Sequence, residues 1–110
     1  MNSNAHAENL HPFELLQPER VLEAAEALAL ITDGRLLPLN SYENRVWQIG
    51  LEDADPVIAK FYRPGRWSNE SILEEHAFAA ELAAAGLSVV APLAFEKRTL
   101  HEHAGFRYAL

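Results

Sequence analysis

The stretch Val57-Ile58-Ala59-Lys60-Phe61-Tyr62 decides the fold, because it is a run of β-forming side chains that carries a single charge. Successive side chains of a strand point to opposite faces, so Lys60 shares a face with Ile58 and Tyr62. An unpaired buried ammonium costs several kcal/mol, and Lys60 must therefore find an anionic partner or reach solvent at a sheet edge. Taken alone, the strand favours the solvent-exposed interpretation.

A helix over residues 69–85 follows this strand and offers a partner. Ser68 is a suitable N-cap and Gly86 fits the left-handed position after the helix. One stripe of the helix is apolar except for a carboxylate, and it comprises Ile72, Glu75, Ala79 and Leu82. A carboxylate on a buried stripe needs a cation, which makes Glu75 the first candidate partner of Lys60 and Glu74 the second. The alternative is that both glutamates belong to an ordinary solvated acidic surface.

The remaining segments complete an α+β pattern. An amphipathic helix starts at Pro18 and ends at the turn Asp33-Gly34. Strands are predicted over residues 36–39, 45–49, 57–62 and 89–95, with a hairpin partner over 99–110. The order helix, three strands, helix, two strands indicates a five-stranded antiparallel sheet. The chain stops on the strand-like residues 106–110, which is typical of a cut chain and less so of a terminal strand.

Composition excludes several classes of protein. The 110 residues include 9 Lys+Arg and 16 Asp+Glu, a formal net charge of -7, which argues against a nucleic-acid partner. There is no cysteine, which excludes disulfide scaffolds, thiolate zinc sites and cysteine nucleophiles. No apolar run is long enough to span a membrane, and no secretory signal is evident. We therefore expect a cytoplasmic protein with no membrane partner.

Other candidate residues carry weaker signals. The turn over residues 40–44 contains no glycine, but the Ser41 hydroxyl and backbone amides could contact an anion. His101 and His103 could form half of a metal site, although a polar hairpin tip is the more common interpretation. Arg63 and Arg66 are interpreted as a solvated loop, and His76 as a structural or exposed residue.

Four sequence segments together resemble one protein family. They are Leu39-Asn40-Ser41-Tyr42-Glu43-Asn44-Arg45-Val46, Lys60-Phe61-Tyr62-Arg63-Pro64, Ile72-Leu73-Glu74-Glu75-His76 and Ala91-Pro92-Leu93-Ala94-Phe95. They resemble the stress response kinase A family of bacterial Ser/Thr protein kinases, within the aminoglycoside phosphotransferase and choline kinase-like group. The resemblance extends over residues 10–110. It implies the N-terminal lobe of a protein-kinase-like fold over 35–110, preceded by a tail and helix over 1–34.

The resemblance also implies a cytoplasmic kinase that uses ATP and Mg²⁺. Lys60 matches the lysine that holds the α- and β-phosphates, and Glu75 matches its partner on helix αC. Ser41 matches a serine that contacts ATP. Val46 and Ile58 match the residues that cover the adenine.

The same resemblance places the catalytic aspartate, the Mg²⁺ ligands and the protein-substrate surface in a larger C-terminal lobe. The sequence contains neither an H-G-D-x-x-x-x-N-like loop nor a D-x-D-like segment. We therefore expect no catalytic residue and no metal ligand in these 110 residues, and no phosphoryl transfer without that lobe. Two alternatives stay open. The chain could be the same lobe of a choline, homoserine or aminoglycoside kinase, or a non-catalytic module that binds a partner through its open sheet face.

Overall fold

The computed structural model describes Phe13, residues 15–39 and residues 43–110. In chain order the elements are α1 (Pro18–Glu26), β1 (Thr32–Leu39), β2 (Arg45–Leu51), β3 (Ala54–Phe61), α2 (Asn69–Ala84), β4 (His101–His103) and β5 (Phe106–Ala109). The strands form one sheet in the order β1-β2-β3-β5-β4, and every pair is antiparallel. The predicted α+β class, with a kinase-like N-lobe of five antiparallel strands, is confirmed.

The core lies between α1 and one face of the sheet. Pro18 occupies the first turn of α1, as predicted, and Val21 and Ala24 are buried against the sheet. From the sheet, the core receives the aromatic rings of Phe61 and Tyr108, whose centroids are 5.2 Å apart. The Tyr108 hydroxyl donates a 2.6 Å hydrogen bond to the Ala24 carbonyl oxygen. Helix α1 therefore covers this face and leaves the opposite face to α2.

The end of α1 differs from the prediction. The helix stops at Glu26, and Ala29 adopts a left-handed conformation with φ 66°. Asp33 and Gly34 lie inside β1, where the pairing with β2 is irregular between Thr32 and Leu36. The Asp33 carboxylate accepts hydrogen bonds from the backbone and side chain of Arg35, so this turn-forming pair makes a local kink within the strand.

The predicted strand over residues 89–95 is wrong. The sheet receives its fifth strand from β4 instead, and β5 lies between β3 and β4. Residues 89–94 form an irregular segment that is joined to the end of β5 by a hydrogen bond from Leu93 N to Leu110 O. Pro92 has no N–H to donate, and a single bridge joins Phe95 to Arg98 across a tight turn. The β-forming composition of residues 89–95 was not sufficient to place them in the sheet, because β4 already occupies the edge beside β5.

Helix α2 begins and ends beside the residues that were predicted to cap it. The Ser68 side chain accepts a hydrogen bond from Ser71 N, and Gly86 has φ +86° at the C-terminal end. Leu87 N donates to Leu82 O, which completes a Schellman motif. The buried residues of α2 are Ile72 and His76, both in its first half. No helix in the described ranges is long and apolar enough to cross a bilayer.

Candidate functional site

The sheet face opposite α1 carries three of the predicted site residues, Val46, Ile58 and Lys60. On β3, Ala59 and Phe61 point into the core, and Lys60 lies on the other face, as the strand alternation predicts. Lys60 pairs with Val46 on β2 and with Ala109 on β5. This register places the lysine in the middle of the sheet with strands on both sides.

A cavity of about 360 Å³ lies over this face. Its walls are the sheet, α2 and the irregular segment 90–93. The apolar lining includes Val46, Ile58 and Leu110, and the polar side chains of Lys60 and Glu75 also line it. The cavity thus combines an apolar surface with one cationic group and one anionic group.

The Lys60 ammonium lies 3.6 Å from Glu75 Oε1. This geometry assigns Glu75, and not Glu74, as the ion-pair partner. The side chains are 38% and 66% exposed, so the pair is not buried and contributes about 0–1 kcal/mol to stability. The Lys60 ammonium also lies 5.1 Å from the centroid of the Tyr62 ring. Of the stripe predicted to be buried, Ile72 is buried and Ala79 and Leu82 are half-buried. Glu75 alone is exposed, because its side chain lies between the two open spaces beside Lys60.

A second cavity of about 150 Å³ adjoins the same ion pair. Lys60, Tyr62 and Glu75 line both cavities, while Asn44 and Trp67 line only the smaller one. Two spaces therefore share the ammonium group, and a ligand with an apolar part and an anionic part could contact it from either side.

His76 is a residue of the site that the sequence analysis did not identify as important. His76 is a buried residue, 4% exposed, although its side chain is polar. The ring nitrogens lie 2.7 Å from Tyr62 Oη and 2.7 Å from Thr99 Oγ1. The sequence feature that could have identified His76 is its position four residues after Ile72, which places both residues on one face of the helix.

Burial shifts the pKa values of Tyr62 and His76 in opposite directions. It raises the pKa of Tyr62 to about 12, and the Glu75 charge adds to that increase while Arg107 opposes it. Burial lowers the pKa of His76, and Lys60 and His101 lower it further, while Glu75 acts in the opposite direction. Both groups are consequently neutral near pH 7.

The other candidates among the described residues do not join this site. Ser41 lies outside the described residues. The Arg66 guanidinium is 3.0 Å from the Glu43 carboxylate, so it is already paired. His103 lies 3.1 Å from the Glu23 carboxylate, and no group of three or more potential metal ligands occurs in the described ranges.

A model of the phosphotransferase enzyme family (APH) matches residues 35–110. The chain belongs to the phosphotransferase enzyme family. It is 47% identical, over all 110 residues, to the serine/threonine protein kinase RdoA of Salmonella typhimurium. It is 45% identical over 98 residues, 89% of its length, to stress response kinase A of Escherichia coli K12, and 44% identical over 98 residues to stress response kinase A of Shigella flexneri.

The chain spans about a third of these relatives, 32% of the Salmonella protein and 30% of the other two. The similarity confirms the resemblance to stress response kinases.

Proposed function

We propose that this phosphotransferase chain is the ATP-binding lobe of a bacterial Ser/Thr protein kinase that acts in a stress response in the cytoplasm. The observation that carries the proposal is the Lys60–Glu75 pair, which stands in a cavity of about 360 Å³ with an apolar surface. We further propose the division into an N-terminal tail and helix over 1–34 and a lobe over 35–110.

The residues present fit a nucleotide. A purine base is flat and largely apolar, and Val46 and Ile58 offer it an apolar surface on the sheet. A triphosphate needs positive charge, which Lys60 supplies at the junction of the two cavities. Glu75 holds the ammonium group and limits the directions it can take. Ser41, which lies between β1 and β2 in the sequence, is proposed to contact the phosphates with its hydroxyl.

The chemistry that this lobe supplies is binding and orientation. ATP supplies the phosphoryl group, and Mg²⁺ neutralises the charge of its phosphates. Lys60 fixes the phosphate end in place, Glu75 keeps Lys60 from turning away, and the apolar surface excludes water from the base. The catalytic base, the Mg²⁺ ligands and the protein-substrate surface are proposed to belong to a C-terminal lobe, so the 110-residue chain alone transfers no phosphoryl group.

The proposal is tested by measuring ATP affinity in the full-length protein that contains this chain. Lys60→Met should weaken binding about 10- to 100-fold, because a charged hydrogen bond contributes about 1.5–3 kcal/mol. Glu75→Gln should weaken it by a smaller factor. The matched controls are Lys97→Met, at the other lysine of the chain, and Glu74→Gln, one residue earlier on α2. Equal effects of Glu75→Gln and Glu74→Gln would contradict the assigned role of Glu75.

The phosphoryl acceptor needs a separate experiment, because a small-molecule alcohol is the alternative to a protein acceptor. The full-length protein is incubated with γ-labelled ATP and either a Ser/Thr-rich protein or a mixture of choline, homoserine and an aminoglycoside. Label in protein supports the Ser/Thr kinase, and the kinase names of the relatives favour this outcome. Label in a small molecule supports the alternative, and ATP affinity without any transfer supports a non-catalytic module.

A further inference from the structure

A chain of three side chains connects α2 to the rest of the lobe. Tyr62 follows the end of β3, His76 lies on α2, and Thr99 precedes β4. The two hydrogen bonds of His76 are each 2.7 Å long. We infer that His76 is a positioning residue, which sets the orientation of α2 and thereby holds Glu75 against Lys60. This inference rests on the function proposed above.

The contacts of α2 explain why one side chain could have this effect. Its buried residues are Ile72 and His76, while Leu73 and Phe78 on the same helix are 45% and 61% exposed. Apolar burial therefore gives this helix little fixed orientation. Ile72 and the half-buried Ala79 and Leu82 would by themselves let the helix rotate, because apolar contacts are not directional. The hydrogen bonds of His76 are directional, so they can fix the rotation of the helix.

The position of His76 next to Glu75 makes that rotation important for the ion pair. Neighbouring helix residues are about 100° apart around the axis, so fixing the direction of one side chain fixes that of the next. Asn69, at the start of the helix, also accepts a 2.8 Å hydrogen bond from the Arg107 side chain. One end and one face of α2 are thus joined to the sheet by polar contacts.

Tyr62 connects this chain back to Lys60. Its hydroxyl bonds His76, and its ring lies 5.1 Å from the Lys60 ammonium. The contacts therefore run from Lys60 to Tyr62, to His76, to its neighbour Glu75, and back to Lys60. A neutral imidazole satisfies both bonds, since one ring nitrogen donates while the other accepts and each hydroxyl can do either. Loss of His76 should loosen the Glu75 carboxylate, and Lys60 then loses its partner as a consequence.

The test is ATP affinity of the full-length protein in a double-mutant cycle. His76→Leu keeps an apolar side chain and removes both hydrogen bonds. We expect it to weaken ATP binding about 3- to 30-fold, and to have no further effect in the Glu75→Gln background. Ile72→Val is the control, because it removes one methyl group from the same helix and lowers stability without touching the hydrogen bonds.

Each outcome decides the question. Coupling between His76 and Glu75, with normal affinity in Ile72→Val, supports a positioning role. Additive effects, or an equal loss of affinity in Ile72→Val, would show that His76 is only structural. If His76→Leu does not fold, Thr99→Val is placed in the same cycle, because it removes one hydroxyl and keeps the imidazole. Unchanged affinity in Lys60→Met and Glu75→Gln would refute the proposed function, whereas a loss there without one at His76 refutes this inference alone.

Discussion

Replacing Tyr108 with phenylalanine should detach α1 from the sheet more easily while leaving the core packed. The Tyr108 hydroxyl donates to the Ala24 carbonyl, and both residues are 1% exposed. Ala24 lies in the last turn of α1, where helix carbonyls run out of partners, and Leu28 N donates to Ala25 O instead. The substitution therefore leaves a buried carbonyl without the tyrosine donor.

The size of the effect follows from these contacts. A buried polar group left unsatisfied costs about 1–3 kcal/mol, and the ring of the variant keeps its stacking on Phe61. A middle value of about 2 kcal/mol corresponds to an about 30-fold larger equilibrium constant for the opening of α1, and therefore to about 30-fold faster amide exchange. Hydrogen–deuterium exchange of the full-length protein measures this directly, since the amides of α1 exchange when the helix detaches.

Tyr62→Phe is the matched control, because it removes the hydroxyl that bonds α2 and leaves Tyr108 unchanged. Exchange should accelerate in α1 for Tyr108→Phe and in α2 for Tyr62→Phe. Unchanged α1 exchange in Tyr108→Phe, or the same pattern in both variants, would refute the reasoning that each hydroxyl secures its own helix.

Two further predictions concern pH and capping. The pKa of Tyr62 is raised to about 12 in the fold against an ordinary value of 10.0, so the stability that its neutral form contributes is complete below pH 10 and is lost as pH rises towards 12. Chemical denaturation should therefore show that the free energy of unfolding falls less between pH 10 and pH 12 in Tyr62→Phe than in the parent protein. Equal losses in the two proteins would contradict the assignment of this pH dependence to Tyr62. Ser68→Ala removes the N-cap of α2 and should cost about 1 kcal/mol in the same measurement, whereas Ser88→Ala, at an exposed residue outside the helices, should cost little. A cost as small as that of Ser88→Ala would show that the cap does not stabilise α2.

The sequence correctly predicted the features that depend on neighbouring residues, which are strand alternation and helix caps. The alternation around Lys60 predicted its face, and Ser68 and Gly86 predicted the limits of α2. The strand over residues 89–95 was wrong because composition reports β-propensity and not the availability of a neighbouring edge. The early end of α1 was missed because Asp33 and Gly34 also suit a kink within a strand.

The sequence by itself determined the fold class, the face of Lys60 and the family resemblance, since periodicity, caps and motifs depend on neighbouring residues. Only the tertiary structure decided that Glu75 and not Glu74 contacts Lys60, and that His76 bonds Tyr62 and Thr99. These contacts join residues 14 to 23 positions apart, and their existence depends on the rotation of α2 above the sheet. Helix periodicity limits that rotation, but the packing of the whole lobe selects it.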